Sequence, residues 1–208
     1  MAEFDPDRAT AREDLCRFLA ACYYEPDAEL GEERLFDSML TAARQLDPEL
    51  AESARKLGEA FAEQDLPALL ADYERLFRGP GQPLATPYGS HWLADEASDR
   101  EESTAALLAL YQEGGFETEE GMPEAPDHVA LQLEFLYRLT AKQNEARRAG
   151  WDEEVLKAWQ HLQALFLRGH LGAWVGRFTA AIQSGARTPF YRELARLTDR
   201  FVRIELAP

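Results

Sequence analysis

The chain has 208 residues, which is long enough for one domain with a sizeable hydrophobic core. Its 22 lysines and arginines against 38 aspartates and glutamates give a net charge of −16 at pH 7. Such a surface repels phosphate backbones, so it argues against a nucleic-acid partner and favours a cationic one, although the same charge also serves solubility alone. The acidic N-terminus lacks the basic and apolar regions of a signal peptide, and no apolar run reaches about 20 residues, the length of a membrane span. We therefore expect a cytoplasmic protein without a membrane-spanning segment.

Apolar residues recur at helical spacing along most of the chain, and no segment alternates as a strand does, so we predict an all-α fold. Thr10 to Glu13 has the form of a capping box and would start the first helix. Asp127 is the expected N-cap of a helix that runs to about Ala149. This helix is apolar on most sides, which predicts a central, buried position. The other predicted helices cover about 35–47, 50–61, 65–77, 97–113, 151–167, 171–184 and 189–201.

Two irregular stretches, 78–90 and 115–126, are the long interruptions of this helical pattern. We predict a single helical domain spanning 1–208, with about eight to eleven helices. The helices would form one body or two lobes joined around 115–126. In the second arrangement the N-terminal lobe covers about 8–114 and the C-terminal lobe about 127–205.

Cysteine and histidine spacing indicates neither a disulfide nor a metal site. Cys16 and Cys22 lie six residues apart on one predicted helix, so their Cα atoms are about 9 Å apart, beyond disulfide reach. We predict two free, buried thiols and no bound metal. No histidine belongs to an HxH, HExxH or ExxH pattern. The histidines are His91, His128, His161 and His170.

Asp127 and His128 form the sharpest polar pair in the sequence. The interpretations left open are a capping aspartate beside an ordinary histidine, a functional contact and, least favoured, a hydrolase of the HD type. A serine nucleophile is disfavoured, because Ser90 has neither a preceding strand nor the second glycine of a nucleophile elbow. Glu134 lies within the apolar helix, where a carboxylate is costly unless paired, so we expect an arginine partner. No catalytic residue is predicted.

The segment RLFRGPGQPLATPYGSHWL, residues 75–93, places large apolar side chains on a loop rich in glycine and proline. Tyr88 and Trp92 belong to no predicted helical face, whereas other large aromatic residues fall at helical spacing and are expected in the core. These expected core residues are Tyr73, Trp151, Trp159, Trp174 and Tyr191.

Several segments together resemble the TorD/DmsD/NarJ family of redox-enzyme maturation chaperones. They are YERLFRGPG, TPYGSHWL and APDHVALQLEFLYRL, followed by FLRGHLGAWVGRF and PFYRELARLTDRFV, which are similar to the family's closing helices. The resemblance spans roughly residues 10 to 205. The order and spacing of the segments are more specific than any one of them alone.

The resemblance implies an all-helical protein without catalytic activity. It implies binding of the N-terminal leader, often a twin-arginine leader, of the catalytic subunit of a molybdopterin oxidoreductase, which is held back from export until its cofactors are inserted. No resident cofactor is implied, although the resemblance leaves room for weak contact with a guanine nucleotide or the molybdopterin cofactor. The chain would be a monomer or a dimer. A helical adaptor for a folded partner and a small helical hydrolase that uses Asp127 and His128 remain the alternatives.

This chain departs from the family in the loop. The family often has Pro-Pro-aromatic where this chain has Thr86-Pro87-Tyr88, and many members carry a bulkier polar residue at the position of Gly89. These departures leave the subgroup, and therefore the client enzyme, undetermined.

We predict a peptide-binding groove between this loop and the start of the apolar helix, in which prolines and glycines order the loop. Aromatic side chains would contact the apolar part of a leader, and acidic side chains its arginines. A contact through His128 would depend on pH near neutrality, and its loss would change stability little. The predicted peptide-binding residues are Leu76, Phe77, Pro87, Tyr88, Ser90, Trp92, Pro126, Asp127, His128 and Glu134.

Overall fold

A computed structural model describes residues 5–27, 34–79, 81–93, 97–117 and 124–207 of the chain. These residues form ten α-helices and one π-helical turn, and they contain no β-strand, so the predicted all-α fold is confirmed. The helices are α1 (Pro6–Ala21), α2 (Leu35–Leu46), α3 (Pro48–Glu63), α4 (Leu66–Tyr73), α5 (Gly89–Leu93), α6 (Ala97–Glu113), α7 (Val129–Ala149), α8 (Glu153–Gly169), α9 (Leu171–Gly185) and α10 (Pro189–Leu206), and the π-helical turn is Glu74–Arg78.

The first helix begins earlier than the sequence pattern predicted. The Asp5 carboxylate accepts hydrogen bonds from the backbone amides of Asp7 and Arg8. Pro6 occupies the first helical position, where its missing N–H costs nothing. Thr10 lies inside the helix, and its hydroxyl donates to the Pro6 carbonyl at 2.9 Å. The capping box predicted at Thr10 is therefore wrong, because the Asp-Pro pair is the stronger start signal.

Helix α7 is buried at the centre of the fold, as its apolar sequence predicted. It packs on α1 and α8, while α10 packs on α3 and α9. One hydrophobic core includes side chains from both proposed lobes. The division of the chain around 115–126 remains a prediction. The predicted core residues of α7 are all buried, and they are Val129, Leu131, Leu133, Phe135, Leu136 and Leu139.

The large aromatic residues expected in the core divide into two groups. Tyr73, Trp174 and Tyr191 are fully buried and Trp159 is half-buried. The prediction for Trp151 is wrong, because 42% of this residue is exposed. It follows the turn that ends α7, before the next helix begins, so its position at helical spacing does not place it on a packed face.

The π-helical turn continues α4 and changes the direction of the chain. It ends at Gly79, whose φ of 52° lies in the left-handed region that favours glycine. Leu76 and Phe77, at the centre of the turn, are buried in the core. The Leu76 carbonyl accepts a hydrogen bond from Ala85 N at 2.8 Å, so this turn holds the start of the Gly/Pro loop against the core.

None of the described helices is both long enough and apolar enough to cross a membrane.

The two cysteines should be chemically inert in the folded protein. Cys16 and Cys22 are free and buried, as predicted, and burial raises the pKa of Cys22 to about 12 and that of Cys16 well above its usual value. Because the thiolate is the reactive form, we expect no reaction of the native protein with a thiol-specific disulfide reagent and two thiols per chain in guanidinium chloride. Fast labelling of either cysteine in the native protein, measured by absorbance, would contradict this burial.

Candidate functional site

Backbone hydrogen bonds join the Gly/Pro loop to the start of α7. Val129 N donates to Pro87 O at 2.8 Å, and Gly89 N donates to Asp127 O at 3.0 Å. They form an isolated antiparallel bridge centred on Tyr88 and His128. We call the paired residues 87–89 and 127–129 the junction. It brings together two segments that are distant in the sequence and that both carry predicted site residues.

Asp127 closes the junction with its side chain. Its Oδ2 accepts a hydrogen bond from Ser90 N at 2.9 Å, and its backbone carbonyl also accepts one from Gln132 Nε2 at 2.8 Å. Gln132 Oε1 in turn accepts from Trp174 Nε1 at 3.2 Å, which connects the junction to the core helix α9. The predicted N-cap role of Asp127 is wrong, because its carboxylate points to α5 and the next residue caps α7.

His128 is the N-cap of α7. Its Nδ1 accepts a hydrogen bond from Ala130 N at 3.2 Å, so the neutral ring carries its proton on Nε2, which lies 3.9 Å from Glu124 Oε2. The imidazole stacks on Tyr24 and meets Tyr88 edge-on, and only 1% of His128 is exposed. This burial lowers the pKa of His128 to about 4. This lowered pKa is at odds with the expected titration near neutrality, whereas the small effect of His128 on stability stays a prediction.

Two carboxylates on either side of His128 are held by tyrosine hydroxyls. Tyr88 Oη donates to Glu124 Oε2 at 2.7 Å, and Tyr24 Oη donates to Glu134 Oε1 at 2.8 Å. Burial raises the pKa of Glu134. The prediction of an arginine partner for Glu134 is wrong, because the donor to this carboxylate is the uncharged hydroxyl of Tyr24.

The structure brings the predicted site residues into one region but at different depths. The half-buried residues Tyr88, Ser90, Trp92, Pro126 and Glu134 reach the surface. Those that do not reach it are Leu76, Phe77, Pro87, Asp127 and His128. A leader peptide could therefore contact the first set, while the second set orders the backbone beneath it. A peptide-binding role for all ten residues remains a prediction.

Trp92 lies in the short helix α5 rather than in an irregular loop. Its Nε1 donates to Thr86 O at 2.8 Å, and its ring meets Phe178 at a centroid distance of 6.4 Å. One edge of the indole is thereby anchored while the residue stays half-exposed. An anchored aromatic side chain loses little conformational freedom when a partner covers it.

Four residues of this region were missed by sequence reasoning. Tyr24 donates to Glu134, Glu124 accepts from Tyr88, and Gln132 donates to the Asp127 carbonyl. Trp174 donates to Gln132 and so supports the junction indirectly. Tyr24 and Trp174 come from segments remote from the loop, so no local pattern indicates them. Gln132 was detectable, because it is a buried polar residue within an otherwise apolar helix and so requires a partner.

The described part of the chain contains no group of three or more histidine, cysteine, aspartate or glutamate side chains that could hold a metal ion.

The family model described as nitrate reductase delta subunit matches residues 43–180, a range that includes the whole junction. The chain belongs to this family. The resemblance to TorD, DmsD and NarJ is thereby confirmed, and three curated relatives show how far it extends.

The "Chaperone protein TorD" of Shewanella loihica is 26% identical over 179 residues, which cover 84% of this chain and 78% of the relative. The "Tat proofreading chaperone DmsD" of Salmonella typhimurium is 31% identical over 186 residues, covering 86% and 82%. The "Perchlorate reductase assembly chaperone protein" of Dechloromonas aromatica is 29% identical over 211 residues, covering 94% and 88%.

The same fold occurs in a crystal structure from Archaeoglobus fulgidus described as a redox enzyme maturation protein. The two structures have a TM-score of 0.53 and 18% sequence identity, and the match covers 92% of this chain and 93% of the other. At this identity the likeness concerns the fold alone.

Gly89 is required by the side chains behind the junction. A Cβ atom at this position would lie 2.9 Å from both Gln132 Nε2 and Trp174 Nε1, closer than real Cβ contacts allow. We expect Gly89→Ala to lower the free energy of unfolding by about 1–3 kcal/mol, measured by chemical denaturation. Gly169→Ala is the matched control, because a Cβ there meets no atom within 4 Å. Equal stability of the two variants would contradict this close packing.

His128 should make stability depend on pH. Its folded pKa of about 4 lies below the unfolded value of about 6.5, so its contribution is fully present above pH 6.5 and is lost as pH falls toward 4. Asparagine at this position can cap the helix but does not titrate. Between pH 7 and pH 4.5, we expect the wild type to lose about 1–3 kcal/mol more unfolding free energy than His128→Asn. Parallel losses in both proteins would show that His128 titrates normally.

Proposed function

We propose that this protein is a cytoplasmic chaperone that binds the N-terminal leader of the catalytic subunit of a molybdopterin oxidoreductase. By holding the leader, it would delay export of the subunit until the cofactors are inserted. The junction is the observation that carries the proposal, because it fixes Tyr88, Ser90 and Trp92 half-exposed on an ordered backbone. The names of the relatives, which include an assembly chaperone and a Tat proofreading chaperone, support the same role.

The charges around the junction suit the arginines of a leader. Glu124 and Glu134 receive hydrogen bonds from uncharged tyrosine hydroxyls, so no cation cancels their negative charge through those contacts. A cationic peptide brought close to them is attracted electrostatically, and the whole-chain charge of −16 acts in the same direction.

A guanidinium already occupies an acidic site beside this region. Arg78 Nη1 lies 2.5 Å from Glu25 Oε2 and 3.1 Å from Glu74 Oε1, and its guanidinium lies over the Tyr73 ring at 5.3 Å. The charge of Arg78 is close enough to contribute to the lowered pKa of His128. Carboxylates and an aromatic face therefore accept an arginine here, which is the chemistry that a leader arginine needs.

The two alternative functions, a hydrolase and an adaptor, would require other properties of the junction. A hydrolase that uses His128 as a base needs an accessible imidazole, whereas here Nδ1 caps a helix and the ring is buried. An adaptor would bind a folded subunit and would not bind an isolated leader.

Two further properties remain expectations from the family resemblance. They are direct contact with a guanine nucleotide or the molybdopterin cofactor, and assembly as a monomer or dimer.

Leader binding should depend on Trp92. We expect Trp92→Ala to weaken the binding of a synthetic twin-arginine leader, from a molybdopterin oxidoreductase of the same organism, by about 1–3 kcal/mol, as for an anchoring aromatic residue. Trp151→Ala is the matched control, because it removes an exposed indole outside the junction. Isothermal titration calorimetry on folded variants is the measurement.

Equal leader affinity in the wild type and both variants would place the binding site elsewhere. Binding of the folded catalytic subunit without any binding of the isolated leader would favour the adaptor.

A further inference from the structure

The segment 84–89, which leads into the junction, turns its larger side chains to solvent and its smaller ones to the core. Every second residue is buried, and these residues are Ala85, Pro87 and Gly89. The residues between them are Leu84, which is 50% exposed, and the half-buried Thr86 and Tyr88. A segment that only covered a core would show the opposite order, because burial of large apolar side chains stabilises a fold. The outward position of Leu84 is therefore not explained by the stability of the core.

The backbone beneath Leu84 is fixed. Ala85 N donates to a carbonyl of the π-helical turn at 2.8 Å. Leu84 also packs against Gly185 at the end of α9, where a Cβ atom would lie 3.4 Å from Leu84 Cδ1. Arg75 Nη2 donates to Gly185 O at 2.6 Å, and its charge is paired with Asp72 Oδ1 at 2.5 Å. A partner that covered Leu84 would therefore order little backbone and would meet a compensated cation.

Trp92 extends this apolar surface toward the junction. Its indole donates to Thr86 O, two residues along the chain from Leu84, and the residue stays half-exposed. One exposed leucine is ordinary on a protein surface. An outward leucine next to an anchored indole, on the segment that forms the junction, is a contiguous apolar surface. We call Leu84, Thr86 and Trp92 the apolar end.

The other end of segment 84–89 is acidic. There Tyr88 Oη donates to Glu124, and Glu134 lies on the other side of His128, held by Tyr24. Within the described ranges neither carboxylate is paired with a lysine or an arginine. The Cα atoms of Leu84 and Tyr88 are at most about 14 Å apart, the reach of four residues. The surface thus changes from apolar to acidic over the length of a short peptide.

We propose that this change sets the direction in which a leader binds, an inference that rests on the proposed chaperone function. Leaders of exported proteins carry a cationic segment followed by an apolar one. The arginines lie at Glu124 and Glu134, and the apolar stretch that follows them lies over Trp92 and Leu84. The reverse direction would place guanidinium groups on Leu84 and apolar side chains on carboxylates, which loses both the attraction and the apolar burial. Leu84 is thereby a leader-binding residue outside the junction.

Leader affinity should fall when the exposed leucine becomes polar. We expect Leu84→Gln to weaken binding of the synthetic twin-arginine leader by about tenfold, the loss that follows from one buried leucine side chain. Leu165→Gln is the matched control, because this leucine of α8 is 46% exposed and lies away from the junction, and the variant should bind like the wild type. Isothermal titration calorimetry is the measurement.

Cross-linking reports the direction itself. Cys16 and Cys22 are buried, so the thiol introduced in Leu84→Cys, or in Ala125→Cys at an exposed position beside Glu124, is the reactive one. Two versions of the leader carry a chloroacetyl group, one before the arginines and one within the apolar stretch. At saturating leader, we expect Leu84→Cys to react about tenfold or more faster with the second version, and Ala125→Cys with the first. Mass spectrometry of the products measures both rates.

The outcomes separate this inference from the proposed function. Opposite preferences of the two cysteine variants, in the stated sense, support the direction. Reversed preferences, or the same preference in both variants, overturn it, and so does equal leader affinity of Leu84→Gln and Leu165→Gln. In those cases binding that still depends on Trp92 leaves the chaperone function standing. A wild type that does not bind the leader at all overturns both.

Discussion

The structure of the proposed leader site depends on the antiparallel pairing of residues 87–89 with residues 127–129. A loop rich in proline and glycine cannot satisfy its own backbone groups as a helix does, so its buried amides and carbonyls need partners from elsewhere. The first turn of a helix has the complementary problem, because its amides lack partners within the helix. The hydrogen bond from Val129 N to Pro87 O, at 2.8 Å, gives a partner both to the loop carbonyl and to the helix amide. The Gln132 amide and the Trp174 indole then tie this pairing to the buried helices.

This pairing also determines the electrostatics of the surface above it. His128 is neutral because it is buried and caps α7, and the hydroxyls of Tyr24 and Tyr88 hold two carboxylates without cancelling their charge. The arginine that sequence reasoning expected beside Glu134 would have neutralised the site. Uncharged donors instead order the two carboxylates without adding a positive charge, which leaves the site open to a cationic peptide.

Much of the fold follows from hydrophobic periodicity, whereas the site depends on tertiary contacts. The periodicity of α7 predicted its burial. The loop segment 75–93 was singled out because Tyr88 and Trp92 fit no predicted helical face, whereas Trp92 lies in the short helix α5. The N-cap of α7 was assigned to Asp127 instead of His128, because either residue can cap a helix and only the position of Ser90 N decides between them.

The central claim is that a leader binds over the junction, and hydrogen–deuterium exchange of the protein with and without the leader peptide tests it most directly. Amide exchange reports where a partner orders or covers the backbone. The account predicts that saturating leader slows exchange in peptides covering 86–93 and 124–134. Exchange in α8, which lies away from the junction, should stay unchanged. Protection confined to α8 or α10, with no change at 86–93, would contradict the assignment of the leader site.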